Sequence, residues 1–128
     1  MKRLLHHFPL LQYIGNLSPS EQKKIVNNSG AELIKLFNEI SLNLVHRNLS
    51  LSASQIKNLK RFESEIRKLS ERKHSLRLRK KVLTQGSFLK VFLAELLPSL
   101  IELILQNNEL KSQTVEPHNE ENVHAKLI

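Results

Sequence analysis

The sequence predicts an all-α protein, a small bundle of about five helices followed by a polar tail. Strand signals are scarce, because only three glycines occur in 128 residues and no Asn-Gly or Asp-Gly pair offers a tight hairpin turn. Apolar residues recur instead at helical spacing, and serines stand where helices would begin. These observations together favour helices over strands along the whole chain.

The N-terminal part predicts two short helices. An apolar-rich segment over residues 4–14 forms the first, broken or begun near Pro9. Ser18 then stands at an N-cap position, with proline at the next residue and Glu21 three residues on. This capping box, with proline at the first helical position, predicts a helix over residues 18–28.

A second capping box, formed by Ser29 and Glu32, predicts a helix over residues 30–47. Apolar residues recur through this segment at a spacing of three and four, which gives the helix a broad apolar face. We expect that face to form much of the core.

The next two predicted helices are basic. Ser52 with Gln55 makes a third capping box and begins a helix over residues 53–71. Ser75 caps a brief helix over 76–85, and Gly86 follows where a helix commonly ends.

The last predicted helix, over residues 88–106, is apolar apart from a narrow stripe of polar residues. Glu95, Ser99, Glu102 and Gln106 form this stripe. Such a pattern is typical of a helix buried in a bundle or in an oligomer interface. Association with a membrane surface and a true membrane span are the alternatives, the span being disfavoured by internal charges and by Pro98.

These segments predict one basic helical domain over residues 1–107 and a polar, disordered tail over residues 108–128.

The N-terminal stretch begins with Lys2 and Arg3, as a secretory signal does. His6 and Pro9 interrupt its apolar run, however, and no small-x-small cleavage site follows. We therefore expect a protein that is not secreted.

The excess positive charge lies in one segment, residues 57–81, called the basic block from here on. The net charge of the chain is +8. The block holds eleven Lys or Arg and three Glu, and the nine basic and nine acidic residues elsewhere cancel. A localised patch of this kind is typical of a polyanion-binding protein. The predicted phosphate contacts are Lys57, Arg61, Lys68, Arg72, Arg77, Lys80 and Lys81.

The basic block predicts contacts with the nucleic-acid backbone more than with bases. On an uninterrupted helix over 53–71, Lys57, Arg61, Lys68 and Arg72 would fall in one strip about 60° wide. The following helix begins "SLRLRKK", which offers phosphate ligands and few of the Asn or Gln side chains that read bases. The low aromatic content, 5%, also argues against modules that stack bases on aromatic side chains.

The sequence carries no recognisable enzyme motif. There are no cysteines, and the six histidines show no metal-ligand spacing. Gly-rich phosphate loops and nucleophile elbows are also missing from the sequence. We expect no catalytic residues, no metal site and no cofactor.

The segment from "GAELIKLFNEISLNLVHRNLSLSASQ" to "SLRLRKKVLTQGSFL" resembles a small basic protein of Maverick/Polinton elements and adintoviruses. The resemblance spans roughly residues 10–95. Ser87 replaces the second glycine of the family's Gly-Gly-Phe-Leu junction, and Glu63 and Glu65 dilute its basic helix. The matching positions are Glu32, Leu33, Ile34, Glu39, Asn43, Leu44, Asn48, Leu51, Leu59, Leu69, Ser75, Leu76, Leu83, Gly86, Phe88 and Leu89.

The resemblance implies a role in packaging double-stranded DNA, because the basic-then-apolar layout is similar to the precursor of an adenovirus core peptide. It also implies a location in a virion or a host nucleus. The alternative from the residues is an interaction or oligomerisation module that associates through Leu93, Leu97 and Leu100. A membrane-active virion protein, or one that contacts a capsid protein, is a further alternative.

Overall fold

A computed structural model describes residues 2–112, with side chains described for residues 3–106. This part of the chain is helical and contains no β-strand, so the predicted all-α class is confirmed. Seven helices follow one another, where about five were expected. They are α1 (Lys2–Gly15), α2 (Pro19–Asn27), α3 (Ala31–Val45), α4 (Ala53–Lys60), α5 (Glu63–Ser70), α6 (Leu76–Leu83) and α7 (Phe88–Ser112).

The predicted helix over 53–71 is wrong, because it divides into α4 and α5 at Phe62. The backbone of Phe62 leaves helical geometry at φ −105° and ψ 23°, and its N–H bonds to the carbonyl of Leu59, one residue closer than in an α-helix. The Phe62 ring packs edge-on against Phe88, with ring centroids 5.2 Å apart. The break therefore lets α4 pack on α7 while α5 packs on α3.

Helices α3 and α7 contribute the largest numbers of buried apolar residues to the core. Phe37 of α3 and Phe88 and Phe92 of α7 are almost completely buried and form one aromatic cluster. Helices α1, α4, α5 and α6 add buried leucines and isoleucines to the same hydrophobic core. The buried apolar residue that α2 adds is Val26. Burial on this scale supplies the main driving force for a chain with such short helices.

Three of the predicted caps are confirmed. Complete capping boxes are present at Ser18 and at Ser52, and the Ser75 hydroxyl accepts a hydrogen bond from the N–H of Leu78. The N–H and hydroxyl of Ser18 both donate to the Glu21 carboxylate. These bonds hold the pKa of Glu21 below its usual value, so the stability they add is lost as the pH falls through that lowered pKa.

The predicted cap at Ser29 is wrong. Gly30 is the N-cap residue of α3 and makes no side-chain cap. The Ser29 hydroxyl instead donates to the carbonyl of Val26 at 2.7 Å, at the end of α2. Glu32, the expected partner, lies 3.3 Å from the Arg3 guanidinium of α1.

Helix α7 begins at the predicted residue and continues to Ser112, beyond the predicted end at 106. Residues 113–128 of the predicted tail lie outside the described residues. No helix within residues 2–112 combines the length and the apolar character that crossing a membrane requires.

Helix α3 ends in a Schellman motif with an arginine at the position that usually holds glycine. The N–H of Asn48 bonds to the carbonyl of Asn43 at 2.8 Å, and the N–H of Arg47 bonds to that of Leu44 at 3.2 Å. Arg47 accordingly has φ +60°, a left-handed conformation that costs a residue with a Cβ roughly 1–2 kcal/mol.

We expect Arg47→Gly to be more stable than Arg47→Ala by about 1 kcal/mol, because both remove the side chain and only glycine relieves the backbone cost. Urea unfolding of the two variants measures the difference. Equal unfolding midpoints would contradict the assignment of strain to this residue.

Candidate nucleic-acid interface

The basic block folds into α4, α5, α6 and their connections, and most of its cations reach solvent. Nine of its eleven basic side chains are exposed, and the other two, Arg79 and Lys80, are partly buried. The exposed residues are Lys57, Lys60, Arg61, Arg67, Lys68, Arg72, Lys73, Arg77 and Lys81. Within the described side chains, Arg67 alone among these nine forms an ion pair, at 3.6 Å from Glu63.

The turn between α5 and α6 is held in place by its own hydrogen bonds. Arg79 reaches back from α6 and donates through Nη2 to the carbonyl of Arg72 at 2.9 Å. The His74 Nε2 lies 2.8 Å from the Glu71 carboxylate, which fixes the other side of the turn. The turn therefore presents Arg72 and Lys73 from an ordered backbone, next to the first turn of α6.

The strip predicted on a single helix does not exist as such, because α4 and α5 are separate helices. Lys57 lies on α4, Arg61 is the C-cap residue of α4, and Lys68 lies on α5. The Arg61 guanidinium stands over the Phe62 ring, 4.8 Å from its centroid, at the break itself. These cations remain exposed, but on two helices that pack against different parts of the core.

Lys80 was predicted to contact phosphate, and the structure places it in a different setting. Its ammonium group donates to the carbonyl of Ser29 at 2.7 Å and approaches that of Asn27 at 3.5 Å. Both carbonyls lie at the C-terminal end of α2, where a cation is favoured by the helix dipole. Lys81, the next residue, is exposed.

Arg72 also lines a polar cleft that no sequence pattern indicated. The cleft has a volume of about 210 Å³ and joins Arg72 to residues of α1, α3 and the turn after α3. Its other lining residues are Arg3, Asn38, Glu39, Leu42, Asn43, His46 and Asn48. Arg3 is bound there by Glu32 and Glu39 at 3.3 and 3.4 Å, so its charge is partly compensated.

Sequence reasoning missed Lys60, Arg67 and Lys73, because it counted only the residues that share one face of each predicted helix. All three are exposed, and they stand inside the basic block beside predicted residues. The charge density of the block was the available signal for them. Lys90 is one of the internal charges of the apolar helix, and its ammonium group donates to the carbonyls of Gly15 and Leu17 at 3.0 and 2.9 Å.

The residues proposed for self-association lie largely in the chain's own core. Leu93 and Leu100 are fully buried, and Leu97 is partly buried against the end of α1. Two members of the polar stripe of α7, Glu95 and Ser99, face α4 and the residues before it. Asn58 donates to the Glu95 carboxylate, Gln55 donates to the Glu95 backbone carbonyl, and Ser99 donates to the carbonyl of Ser50 at 3.0 Å. These two residues of the stripe thus serve packing inside the bundle.

No cluster of three metal-ligating side chains occurs among the residues that the structure describes. Comparisons of the chain with protein-family models, with curated proteins and with solved structures gave no match.

The neighbouring residues Lys80 and Lys81 should respond differently to the same substitution. We expect Lys80→Gln to lower the free energy of unfolding by about 1 kcal/mol, since α2 loses its cationic cap. Lys81→Gln should leave that free energy unchanged within about 0.5 kcal/mol, as for other exposed sites. Thermal and urea unfolding of the two variants test this, and equal losses would contradict the structural role of Lys80.

Proposed function

We propose that this protein binds nucleic acid, double-stranded DNA in the first place, through its phosphates and with little dependence on base sequence. The observation that carries the proposal is the exposure of nine cations from one segment of 25 residues. An arrangement of this kind releases counterions from a polyanion, which is the main source of sequence-independent affinity.

The helix dipole of α6 adds to the positive potential of the block. The first turn of α6 contains no acidic residue, and Arg77 lies within that turn. Arg72 and Lys73 stand just before it. Helix N-termini carry a partial positive charge, so the dipole and these three side chains favour the same kind of ligand, an anionic group such as phosphate.

The side chains on this surface support backbone contacts better than base reading. The exposed groups are Lys and Arg, which bind phosphate without sequence information. Asn58 of α4 is the carboxamide side chain within the basic block. It donates to the Glu95 carboxylate at 2.9 Å, so this donor is already used inside the molecule. The resemblance to the Maverick/Polinton small basic protein supports a more specific form of the proposal. In that form the protein packages DNA in a virion core or a host nucleus.

An interaction or oligomerisation module remains the second candidate function. It would use the same basic surface for an acidic protein and the apolar helix for association. The favouring observation is that α7 exposes apolar side chains, as described below. Nucleic-acid binding at moderate salt separates the two candidates, because an acidic-protein module has no need of duplex DNA.

The salt dependence of binding to a random-sequence duplex tests the proposal. About six phosphate contacts predict a slope of about −5 for log K against log salt concentration. Replacing three exposed cations of the block, in Lys68→Gln/Arg77→Gln/Lys81→Gln, should weaken binding and reduce the slope to about −3. Fluorescence anisotropy across a salt series measures both quantities.

The matched control removes the same charge from residues outside the basic block. Lys23, Lys24 and Lys35 are exposed and lie outside the block, so Lys23→Gln/Lys24→Gln/Lys35→Gln should keep a slope close to that of the unaltered protein. Equal losses in the two triple variants would show that net charge alone matters. A flat salt dependence of the unaltered protein would contradict the proposal itself.

A further inference from the structure

Helix α7 presents apolar residues to solvent where a surface helix normally presents charged ones. Between Phe88 and Leu105 the exposed positions are Ala94, Pro98, Ile101 and Leu105, and all four are apolar. They recur at intervals of four, three and four residues, so they form one narrow line along the helix. This line of four residues is called the seam from here on.

Three polar residues of α7 are bound within the molecule. Lys90 is bound to carbonyls at the end of α1, and Glu95 is bound by α4. Ser99 is buried and donates to the carbonyl of Ser50. When a helix bonds polar side chains to its own bundle and exposes apolar side chains to solvent, it resembles a helix that packs on the bundle with one face and on a partner with the other.

Helix α1, which packs against α7, also exposes apolar side chains. Six large hydrophobic side chains are exposed among the described residues, and five of them lie on α1 and α7. These five are Leu5, Leu10, Tyr13, Ile101 and Leu105. Helices α1 and α7 pack together, and Leu97, which neighbours the seam on the helix surface, lies beside Gly15 of α1. Exposed apolar side chains on two helices that pack together are typical of an interaction site.

We propose that the seam binds a second copy of this chain, with the two α7 helices antiparallel across a two-fold axis. The intervals of the seam read the same in both directions, so an axis passing between Ser99 and Leu100 superimposes one seam on the other. It sets Ala94 opposite the partner's Leu105 and Pro98 opposite the partner's Ile101. A larger side chain then meets a smaller one at every position, which is how helix faces pack closely.

The chemistry of the seam fits a second copy better than other occupants. An acidic or basic partner would find no opposite charge on it. A lipid surface favours a broad apolar face bordered by Lys and Arg. Lys90, the cation within residues 88–106 of α7, is instead bound to backbone carbonyls. An identical seam supplies the uncharged surface and the matching spacing together.

Cysteine cross-linking tests both the partner and its direction, and the chain contains no cysteine of its own. In the antiparallel pair, Ala94 lies next to the partner's Leu105, whereas the two copies of Ala94 are about 16 Å apart along the helices. A mixture of Ala94→Cys and Leu105→Cys proteins should therefore form a disulfide-linked dimer under mild oxidation, and neither protein alone should do so. Cross-linking of each variant with itself would indicate parallel helices and overturn the proposal.

Sedimentation equilibrium supplies the second measurement. Ile101→Gln should weaken dimerisation about tenfold, because a polar amide replaces a side chain that the dimer buries. Leu76→Gln is the matched control, since Leu76 is exposed to nearly the same extent, 40% against 39%, and lies on α6. It should leave dimerisation unchanged. A monomer at all concentrations, with or without binding to lipid vesicles, would overturn the proposal.

The proposal does not rest on nucleic-acid binding, and salt separates the two. Added salt weakens phosphate contacts, but it screens the repulsion between two copies that each carry a net charge of +8. Dimerisation should therefore persist or strengthen at salt concentrations that abolish DNA binding. If the dimers dissociated at the same salt concentrations that release DNA, the proposal that apolar contacts of the seam hold the dimer would be wrong.

Discussion

Hydrogen bonds from side chains to the last carbonyls of neighbouring helices hold this bundle in its arrangement. Four of its helices contain only eight or nine residues, so a large share of their carbonyls lie in a last turn without a helical partner. Lys80 of α6 binds the end of one of these short helices, α2. Lys90 of α7 does the same for the longer helix α1.

In the interior, carboxamide side chains also donate to carbonyls at or near the ends of neighbouring helices. Gln22 is buried and donates to the carbonyl of Ile14 at 2.8 Å, and buried Asn38 donates to that of Leu69 at 2.8 Å. Helices of this length are marginal in isolation. Each such bond therefore fixes two elements together and satisfies a carbonyl that would be costly to bury alone.

This requirement divides the cations of the molecule into two groups. Lys80, Arg79 and Lys90 serve the fold, because each donates to at least one backbone carbonyl. The nine other cations of the basic block are exposed to solvent. The charge of the sequence therefore overstates the number of cations that are exposed to a ligand.

Local chemistry made part of this structure predictable. The boxes at Ser18 and Ser52 need only residues three apart, so the sequence contains all the information for them. Ser29 has the same local pattern and fails, because its hydroxyl binds the preceding helix and Glu32 binds Arg3 of α1. That outcome depends on a contact across 29 residues, which no local pattern contains.

The candidate site follows the same rule. Exposure of Lys68, Arg77 and Lys81 follows from charge density and helical spacing, which are local. The role of Lys80 and the break at Phe62 depend on packing against α2 and Phe88, which the sequence does not reveal. The sequence shows the polar stripe of α7 but not which neighbour the stripe faces. In the structure Glu95 of the stripe faces α4, and the seam lies on the solvent side of the helix.

The most direct test of the account is a map of backbone amide shifts in the ¹⁵N-labelled protein as a random-sequence DNA duplex is added. The account predicts shifts concentrated in residues 57–81, reversed by added salt, with the seam of α7 unaffected. Shifts centred on α1 or on residues 94–105, with the basic block unchanged, would contradict it.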